Sequence, residues 1–282
     1  VIAMLKIKDL NLTVHHQQIL QKMPIDFQPG NVYGIIGPNG VGKTTLFKSI
    51  LGLTRYAGTI TVNGQPVSDA KVGKLIEYPN FYQKLTVQQN LNLYAQYIGV
   101  QQSTITEVLK KVSLNNARNM PFQSLSLGMK QRLGIARALM GNKQVLLLDE
   151  PQNGLDPLGI RAVRNLLNDP EIRRNKIILL ASHNLNEISR IVDKIVFVNK
   201  GEIICCINNL PHANYDVYQK LAPGATPSDS QWQVSPILGT DYWLSTQSSL
   251  RSQAPLIGTV TSLENLFDFV ITGEVAHNVN FN

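Results

Sequence analysis

The feature that most constrains this chain is an apolar strand that leads directly into a glycine-rich loop and then a helix. Val32–Ile36 is predicted to be a buried strand, and Leu46, Phe47 and Ile50 recur at helical spacing after the loop. The loop between them consists of Gly37, Pro38, Asn39, Gly40, Val41, Gly42, Lys43, Thr44 and Thr45. Glycines at this junction let a phosphate group approach the main chain, and the N–H groups of the loop and helix N-terminus favour an anion.

This loop fits the P-loop pattern of glycines, a lysine and a hydroxyl, so residues 37–45 are predicted to bind a nucleotide. We expect Lys43 to reach the β- and γ-phosphates and the Thr44 hydroxyl to ligate Mg²⁺. The alternative is a glycine-rich turn that binds nothing, which the apolar strand and helix on either side disfavour.

Two carboxylates follow a second apolar strand, Val145–Leu148. Ligands of open α/β sheets gather at the carboxyl ends of the strands, where Asp149 and Glu150 are expected to lie. Asp149 is predicted to hold the metal through water, and Glu150 to orient and deprotonate an attacking water molecule. An acidic surface turn is the simpler alternative, which the P-loop elsewhere in the chain disfavours.

A histidine, His183, follows a third apolar strand, Ile177–Ser182. A single histidine is often structural. If this strand ends at the same sheet edge as Asp149, however, the imidazole of His183 is placed to sense a γ-phosphate, so we predict a catalytic role.

The order of predicted elements indicates an α/β protein with a mainly parallel sheet. Short strands with polar turns near the start predict an N-terminal antiparallel β subdomain, and helical periodicity predicts a helical insert over about 84–140. The composition shifts after Cys206. We therefore predict a main domain of residues 1–206 and a C-terminal α+β region of residues 207–282, closed by an amphipathic helix near Ser262.

Helix starts and ends can be predicted in the same way. Thr86 and Gln89 have capping-box spacing, and Thr104 with Glu107 predicts the start of a second helix in the insert. After His183, the apolar spacing predicts a helix over Leu185–Val192.

Composition excludes a membrane channel, because the apolar runs fall short of the roughly 18–20 residues that a spanning helix needs. The 26 basic against 19 acidic residues give a net charge of +7, which favours anionic partners without deciding between them. Cys205 and Cys206 are neighbours and therefore poor disulfide partners. We find no charged-then-apolar leader at the start, and expect a reducing, cytosolic setting.

Two further motifs resemble those of the ABC ATPase family. Leu125–Gln131 resembles the family's signature loop, and Gly154–Pro157 resembles its D-loop. The resemblance covers Ala3 to about Cys205 and implies a P-loop NTPase fold of ABC ATPase type, with ATP and Mg²⁺ as cofactors. A serine-capped helix that merely packs is the alternative reading of the signature segment.

The resemblance also implies partners and site residues. Ser126 and Gly128 of one subunit would bind the γ-phosphate held by the partner subunit's Lys43, with Asp156 also near the nucleotide. The working unit would be a homodimer or heterodimer of ATPase subunits that drives an integral membrane permease. Such a subunit is cytoplasmic and peripheral on the inner face of the cell membrane, and no nucleic acid partner is expected.

The chain departs from the family pattern at several positions. Many members have Gly and Gln where this chain has Leu127 and Met129. Glu77 stands where the Q-loop glutamine is usual, and its carboxylate is a candidate ligand of Mg²⁺ or its water. The adenine-stacking aromatic is replaced near Val14, where His15 either stacks on the base or is an exposed strand residue.

These departures resemble the drug- and bacteriocin-exporter branch, which includes bacitracin-resistance and lantibiotic-immunity ATPases. Glu77 is followed by Pro79, Phe81 and Tyr82, and the segment from Ser262 resembles the closing helix of that branch. Export of a peptide antibiotic or drug is therefore the expected function. The alternatives are a non-transport ABC ATPase acting on the ribosome or nucleic acid, a P-loop kinase or GTPase, and a scaffold with a dead site.

Overall fold

A computed structural model describes residues 4–77, 80–209, 215–219, 234–236, 242–245, 256–260 and 262–272. Pro79 and most of the predicted C-terminal region lie outside these residues. Within the described ranges, no helix is both long and apolar enough to cross a membrane.

The strands are β1 (Leu5–Val14), β2 (Gln17–Phe27), β3 (Val32–Ile36), β4 (Ala57–Val62), β5 (Gln65–Pro66), β6 (Val72–Leu75), β7 (Val145–Asp149), β8 (Ile177–Ser182), β9 (Lys194–Asn199), β10 (Glu202–Asn208), β11 (Tyr215–Gln219), β12 (Val234–Pro236), β13 (Tyr242–Ser245) and β14 (Leu256–Val260). The helices are α1 (Lys43–Ile50), α2 (Val87–Ile98), α3 (Ser103–Lys111), α4 (Leu127–Leu139), α5 (Pro157–Asn168), α6 (Pro170–Arg173), α7 (Leu185–Ile188) and α8 (Leu263–Thr272).

The central sheet has the order β10-β9-β3-β8-β7-β6, with β3, β6, β7, β8 and β9 parallel and β10 antiparallel at one edge. All residues of β3 and β8 are buried, as expected for strands covered on both faces. The register pairs Ile36 with Ser182 and Ala181 with Asp149. The carboxyl ends of β3, β8 and β7 therefore lie side by side, which confirms the predicted mainly parallel sheet.

A second, antiparallel sheet with the order β2-β1-β4-β5 forms the N-terminal β subdomain. The turn between β1 and β2 consists of His15 and His16, which both have positive φ, at 46° and 65°. Two left-handed residues in a two-residue loop match the twist of the flanking strands. His15 therefore lies in a hairpin turn.

The helical insert contains α2, α3 and α4. Thr86 and Gln89 form the predicted capping box at the start of α2, with both reciprocal hydrogen bonds present. The second predicted start is two residues late, because Thr104 is the predicted N-cap, whereas the N-cap of α3 is Gln102, which makes no side-chain capping bond.

The helix predicted over Leu185–Val192 is shorter than expected, since α7 ends at Ile188. The segment closes with a tighter bond, from the Ile191 N–H to the Ile188 carbonyl at 2.9 Å, and the Asp193 N–H then donates to the Val32 carbonyl of β3 at 2.8 Å. The Asn209 Nδ2 donates to the carbonyl oxygens of Ser189, at 2.5 Å, and Val192, at 2.7 Å. A distant amide thus satisfies carbonyls that end the helical segment.

The described part of the C-terminal region comprises a sheet of order β12-β13-β11-β14 and helix α8. Ser262 starts α8 by accepting a hydrogen bond from the N–H of Asn265 at 3.1 Å. Leu266 and Val270 belong to the same apolar core as Phe197 of the central sheet, and the rings of Phe197 and Phe267 are 6.1 Å apart. Side chains on both sides of the predicted boundary at residue 206 therefore share one core.

Replacing Leu266 with Ala tests this shared core. Leu266 is fully buried, so the loss of its side chain is expected to lower the free energy of unfolding by about 2–5 kcal/mol. Glu264→Ala, on an exposed position of the same helix, is the control and should cost about 1 kcal/mol or less. Denaturant unfolding should show one transition that moves with Leu266→Ala. Two separate unfolding transitions, of which only the one with the smaller amplitude shifts in Leu266→Ala, would instead indicate an independent C-terminal domain.

Candidate active site

The glycine-rich loop spans the turn from β3 to α1, and backbone geometry explains its glycines. A Cβ on Gly37 would lie 2.2 Å from the carbonyl oxygen of Val198 in the neighbouring strand. Gly42 has a φ of 107° and precedes the first residue of α1. Glycine at these positions is therefore required by the fold itself, in addition to the predicted approach of a phosphate.

Lys43 extends its side chain back along this loop. Its Nζ donates hydrogen bonds to the carbonyl oxygens of Gly37, at 2.7 Å, and Pro38, at 3.0 Å. Burial lowers the pKa of Lys43, while the charges of Glu150 and Asp149 raise it. The result is a buried cation that faces the two predicted carboxylates.

A cleft of about 280 Å³ opens beside this lysine. It is lined by Asn39, Gly40, Gly42, Lys43, Thr44, Thr45, Asp149 and Glu150. Two separate predictions from the sequence, the P-loop and the acidic strand end, therefore meet in one cavity.

Asp149 and Thr44 lie in direct contact within the cleft. The Thr44 hydroxyl donates to Asp149 Oδ2 at 2.6 Å. Burial raises the pKa of the Asp149 carboxyl, and the bond from Thr44 acts against this shift. Hydroxyl and carboxylate oxygens are the hard ligands that Mg²⁺ prefers, so the residues present fit a magnesium ion shared with a nucleotide.

Glu150 is held by the end of β8. Its Oε1 accepts a bond from the His183 N–H at 3.0 Å and lies 2.7 Å from His183 Nδ1, while the Ser182 hydroxyl donates to Oε2 at 3.1 Å. The carboxylate is thus fixed in orientation, with an imidazole directly beside it. Such a pair is suited to accept a proton and hold it.

The remaining predicted ligands lie in other contacts. The Glu77 carboxylate is 2.5 Å from Lys48 Nζ on α1, and its side chain is 64% exposed. His15 is exposed in the hairpin turn before β2. Strand β2 itself contacts the P-loop, where Leu20 lies against Gly42. Magnesium binding by Glu77 and adenine stacking by His15 stay predictions.

The signature and D-loop segments lie next to each other. Ser126 is exposed and caps α4, accepting a hydrogen bond from the Met129 N–H at 3.2 Å. A Cβ on Gly128 would be 3.3 Å from the carbonyl oxygen of Gly154. Asp156 caps α5 by accepting from the Gly159 N–H at 2.8 Å. Among the described residues that line the cleft, none comes from these two segments.

Two polar residues that sequence reasoning left without a role contact Glu150. One is Ser182, described above. The other is Gln131 of α4, which is only 8% exposed and whose Nε2 donates to the carbonyl oxygen of Glu150 at 3.0 Å. The available signal was its position, because Gln131 shares the buried helix face with Ile135 and Leu139 at four-residue spacing.

The topology places the P-loop after one parallel strand and the paired carboxylates after a neighbouring one, with cation, hydroxyl and carboxylate converging on one cleft. This arrangement is that of a P-loop NTPase.

Comparisons with known proteins define the family more narrowly. The ABC transporter family model matches residues 20–153. The lantibiotic transport ATP-binding protein SrtF of Streptococcus pyogenes is 39% identical over 205 residues, which cover 71% of this chain and 89% of that protein. The bacitracin transport ATP-binding protein BcrA of Bacillus licheniformis is 38% identical over 210 residues, 72% of this chain and 69% of the relative.

A solved structure of the ATP-binding subunit of an ABC transporter is also similar, with a TM-score of 0.66 and 28% identity over 73% of this chain and 90% of that one. The chain therefore belongs to the ABC transporter ATP-binding proteins. Membership of this family implies ATP binding and ATP hydrolysis.

Lys43→Met is expected to weaken ATP binding by about 10- to 100-fold, because a charge-assisted contact to phosphate is lost. Lys48→Met is the matched control, since Lys48 lies on the same helix and its Nζ pairs with Glu77. Titration with a fluorescent ATP analogue measures both affinities. If Lys43→Met bound the ATP analogue as tightly as the parent protein does, Lys43 would not be a phosphate ligand.

Proposed function

We propose that this chain is the ATP-hydrolysing subunit of an ABC exporter, and that ATP-dependent pairing of two such subunits drives a separate membrane permease. The observation that carries this proposal is the convergence of Lys43, the Thr44–Asp149 pair and the Glu150–His183 pair at one sheet edge. These groups supply a phosphate-binding cation, a metal site and a general base.

In the proposed hydrolysis, Lys43 exchanges its two carbonyl partners for β- and γ-phosphate oxygens. Mg²⁺, held through Thr44 and Asp149, would neutralise phosphate charge. Glu150 orients the attacking water molecule and accepts its proton, and His183 keeps the carboxylate in place and faces the γ-phosphate. ADP and inorganic phosphate are the products.

The exposed start of α4 supports pairing with a second subunit. α4 has 13 residues, and Ser126 caps its N-terminus, where helix N–H groups favour an anion. We infer that Ser126 and Gly128 contact the nucleotide bound to the partner subunit's Lys43, while Asp156 orders the adjoining loop. ATP then lies between the subunits and holds them together until it is hydrolysed.

The surface around the loop after Glu77 is our candidate for the permease contact. Arg137 contacts the described residues of this loop: its Nη1 donates to the Asn80 carbonyl at 3.1 Å, and its guanidinium lies 4.6 Å from the centre of the Phe81 ring. Tyr82 and Tyr97 are 68% and 80% exposed. Exposed aromatic side chains, here Tyr82 on the loop and Tyr97 on α2, suit a protein interface. Docking there would hold the subunit at the inner face of the membrane.

The named relatives support a peptide antibiotic or similar drug as the exported compound. They are lantibiotic and bacitracin transport proteins. The ABC transporter family model covers residues 20–153, which contain the P-loop, both carboxylates and the signature segment. Choice of cargo would lie with the permease.

The proposal is tested first with Glu150→Gln. This variant should bind ATP with Mg²⁺ but not hydrolyse it, so the mass in solution should double from 31.3 kDa when ATP is added. Light scattering after size-exclusion chromatography measures the mass. The double variant Glu150→Gln/Lys43→Met is the control and should remain monomeric at the same ATP concentration. Hydrolysis by Glu150→Gln at the parent rate would exclude Glu150 as the general base.

Magnesium dependence separates the two candidate metal carboxylates. Asp149→Asn should raise the Mg²⁺ concentration for half-maximal ATPase by about tenfold or more, because a charged ligand is lost at the Thr44 hydroxyl. Glu77→Gln should change it less than about twofold, since Lys48 holds that exposed carboxylate. A larger effect of Glu77→Gln would make Glu77 the principal metal carboxylate.

A further inference from the structure

We propose that Gln131 is a positioning residue for hydrolysis, which links the signature helix α4 to the backbone of Glu150 in the same subunit. The inference rests on the proposed function, in which Glu150 is the general base and the start of α4 meets the second subunit's nucleotide. Gln131 itself contacts neither nucleotide nor water in this proposal.

The backbone of Glu150 is constrained on both sides of its Cα. Its N–H donates to the Ala181 carbonyl at 2.9 Å, which fixes it to β8. Its carbonyl oxygen accepts two bonds, from the Asn153 N–H at 3.1 Å and from Gln131 Nε2 at 3.0 Å. The bond to Ala181 belongs to the sheet, and the bond from Asn153 belongs to the turn after β7. Only the bond from Gln131 comes from another element, helix α4.

This constraint matters because Glu150 has a φ of 46°, a left-handed backbone conformation that residues other than glycine rarely adopt. Such a conformation persists only where its surroundings enforce it. The direction in which the side chain leaves the backbone depends on this φ. Holding the carbonyl therefore holds the carboxylate against His183 and Ser182.

α4 contacts the turn after Glu150 at both of its ends. Gln131 bonds the carbonyl of Glu150 at the start of the turn. At the other end, Leu127 packs so closely on Gly154 that a Cβ there would lie 2.3 Å from Leu127 Cδ2. Ser126, the proposed contact to the partner's nucleotide, caps this same helix. A displacement of α4 by that nucleotide would therefore be passed to the residue that carries the general base.

Gln131→Met tests the link, because methionine has a similar length and lacks the donor. We expect kcat for ATP hydrolysis to fall about tenfold, with KM for ATP changed less than about twofold, since the phosphate contacts remain. Arg132→Met is the matched control. Arg132 is the next residue of α4 and bonds the carbonyls of Val112 and Ser113 in the helical insert, away from Glu150, so its kcat should stay near the parent value.

A second measurement does not depend on turnover. The ring signals of His183 in NMR spectra, assigned with His183→Gln, report the 2.7 Å contact with Glu150. Gln131→Met should shift these signals in nucleotide-free protein, and Arg132→Met should not. If the parent protein binds ATP without hydrolysing it, the proposed function fails, yet the His183 signals still test whether Gln131 positions Glu150.

Two outcomes would overturn the inference. One is a parental kcat with unshifted His183 signals in Gln131→Met. The other is an equal loss of kcat in Arg132→Met, which would indicate general damage to α4. Should Gln131→Met lower the melting temperature enough to obscure the comparison, Gln131→Asn serves instead, because it keeps a polar side chain but withdraws the amide by one methylene. The same shift and the same loss of kcat are expected from it.

Discussion

The site depends on the in-register parallel pairing of β3, β8 and β7. Ile36 pairs with Ser182 and Ala181 with Asp149, so the three strands end at the same edge of the sheet. The P-loop, the histidine and the carboxylates therefore lie side by side at that edge. β8 is buried along its whole length, and a slip of one residue would exchange the side chains between the two covered faces. The apolar core therefore fixes the register, and the register fixes the distances between the polar groups at the edge.

Within that frame, the charged groups stabilise one another. Burial alone would disfavour the ammonium of Lys43 and the carboxylate of Asp149, and the pKa of each group shifts in the direction that burial predicts. The charge of Asp149 raises the pKa of Lys43, and the charge of Lys43 lowers the pKa of Asp149, so each opposes the effect of burial on the other. Thr44 adds a hydrogen bond to Asp149. The proposed phosphate-binding cation and the proposed metal ligand are thus placed in the ligand-free protein, which would reduce the cost of ordering them on binding.

Local sequence signals were sufficient for the strand ends and for the capping box at Thr86, because each is encoded by a short apolar run or a three-residue spacing. They failed where distant contacts decide the structure. α7 ends at Ile188, and shortly after it the Asp193 N–H bonds the Val32 carbonyl of β3, which ties the chain to the sheet. The role of Gln131 depends on a residue 19 positions away, and the shared C-terminal core depends on contacts such as Phe197 with Phe267. Helical spacing places Gln131 on a buried face, but no local pattern identifies the distant partner in any of these contacts.

The unusual signature residue Leu127 is best understood together with the D-loop. Its side chain is 46% exposed and occupies the space beside Gly154 that any Cβ at that position would fill. Ser126 and Gly128 on either side lie at the N-terminus of α4, where helix N–H groups favour an anion. The Leu127 side chain therefore packs between two loops of the same subunit, and Ser126 still caps α4 beside it. A leucine at position 127 is thus compatible with the proposed contact between Ser126 and the partner's nucleotide.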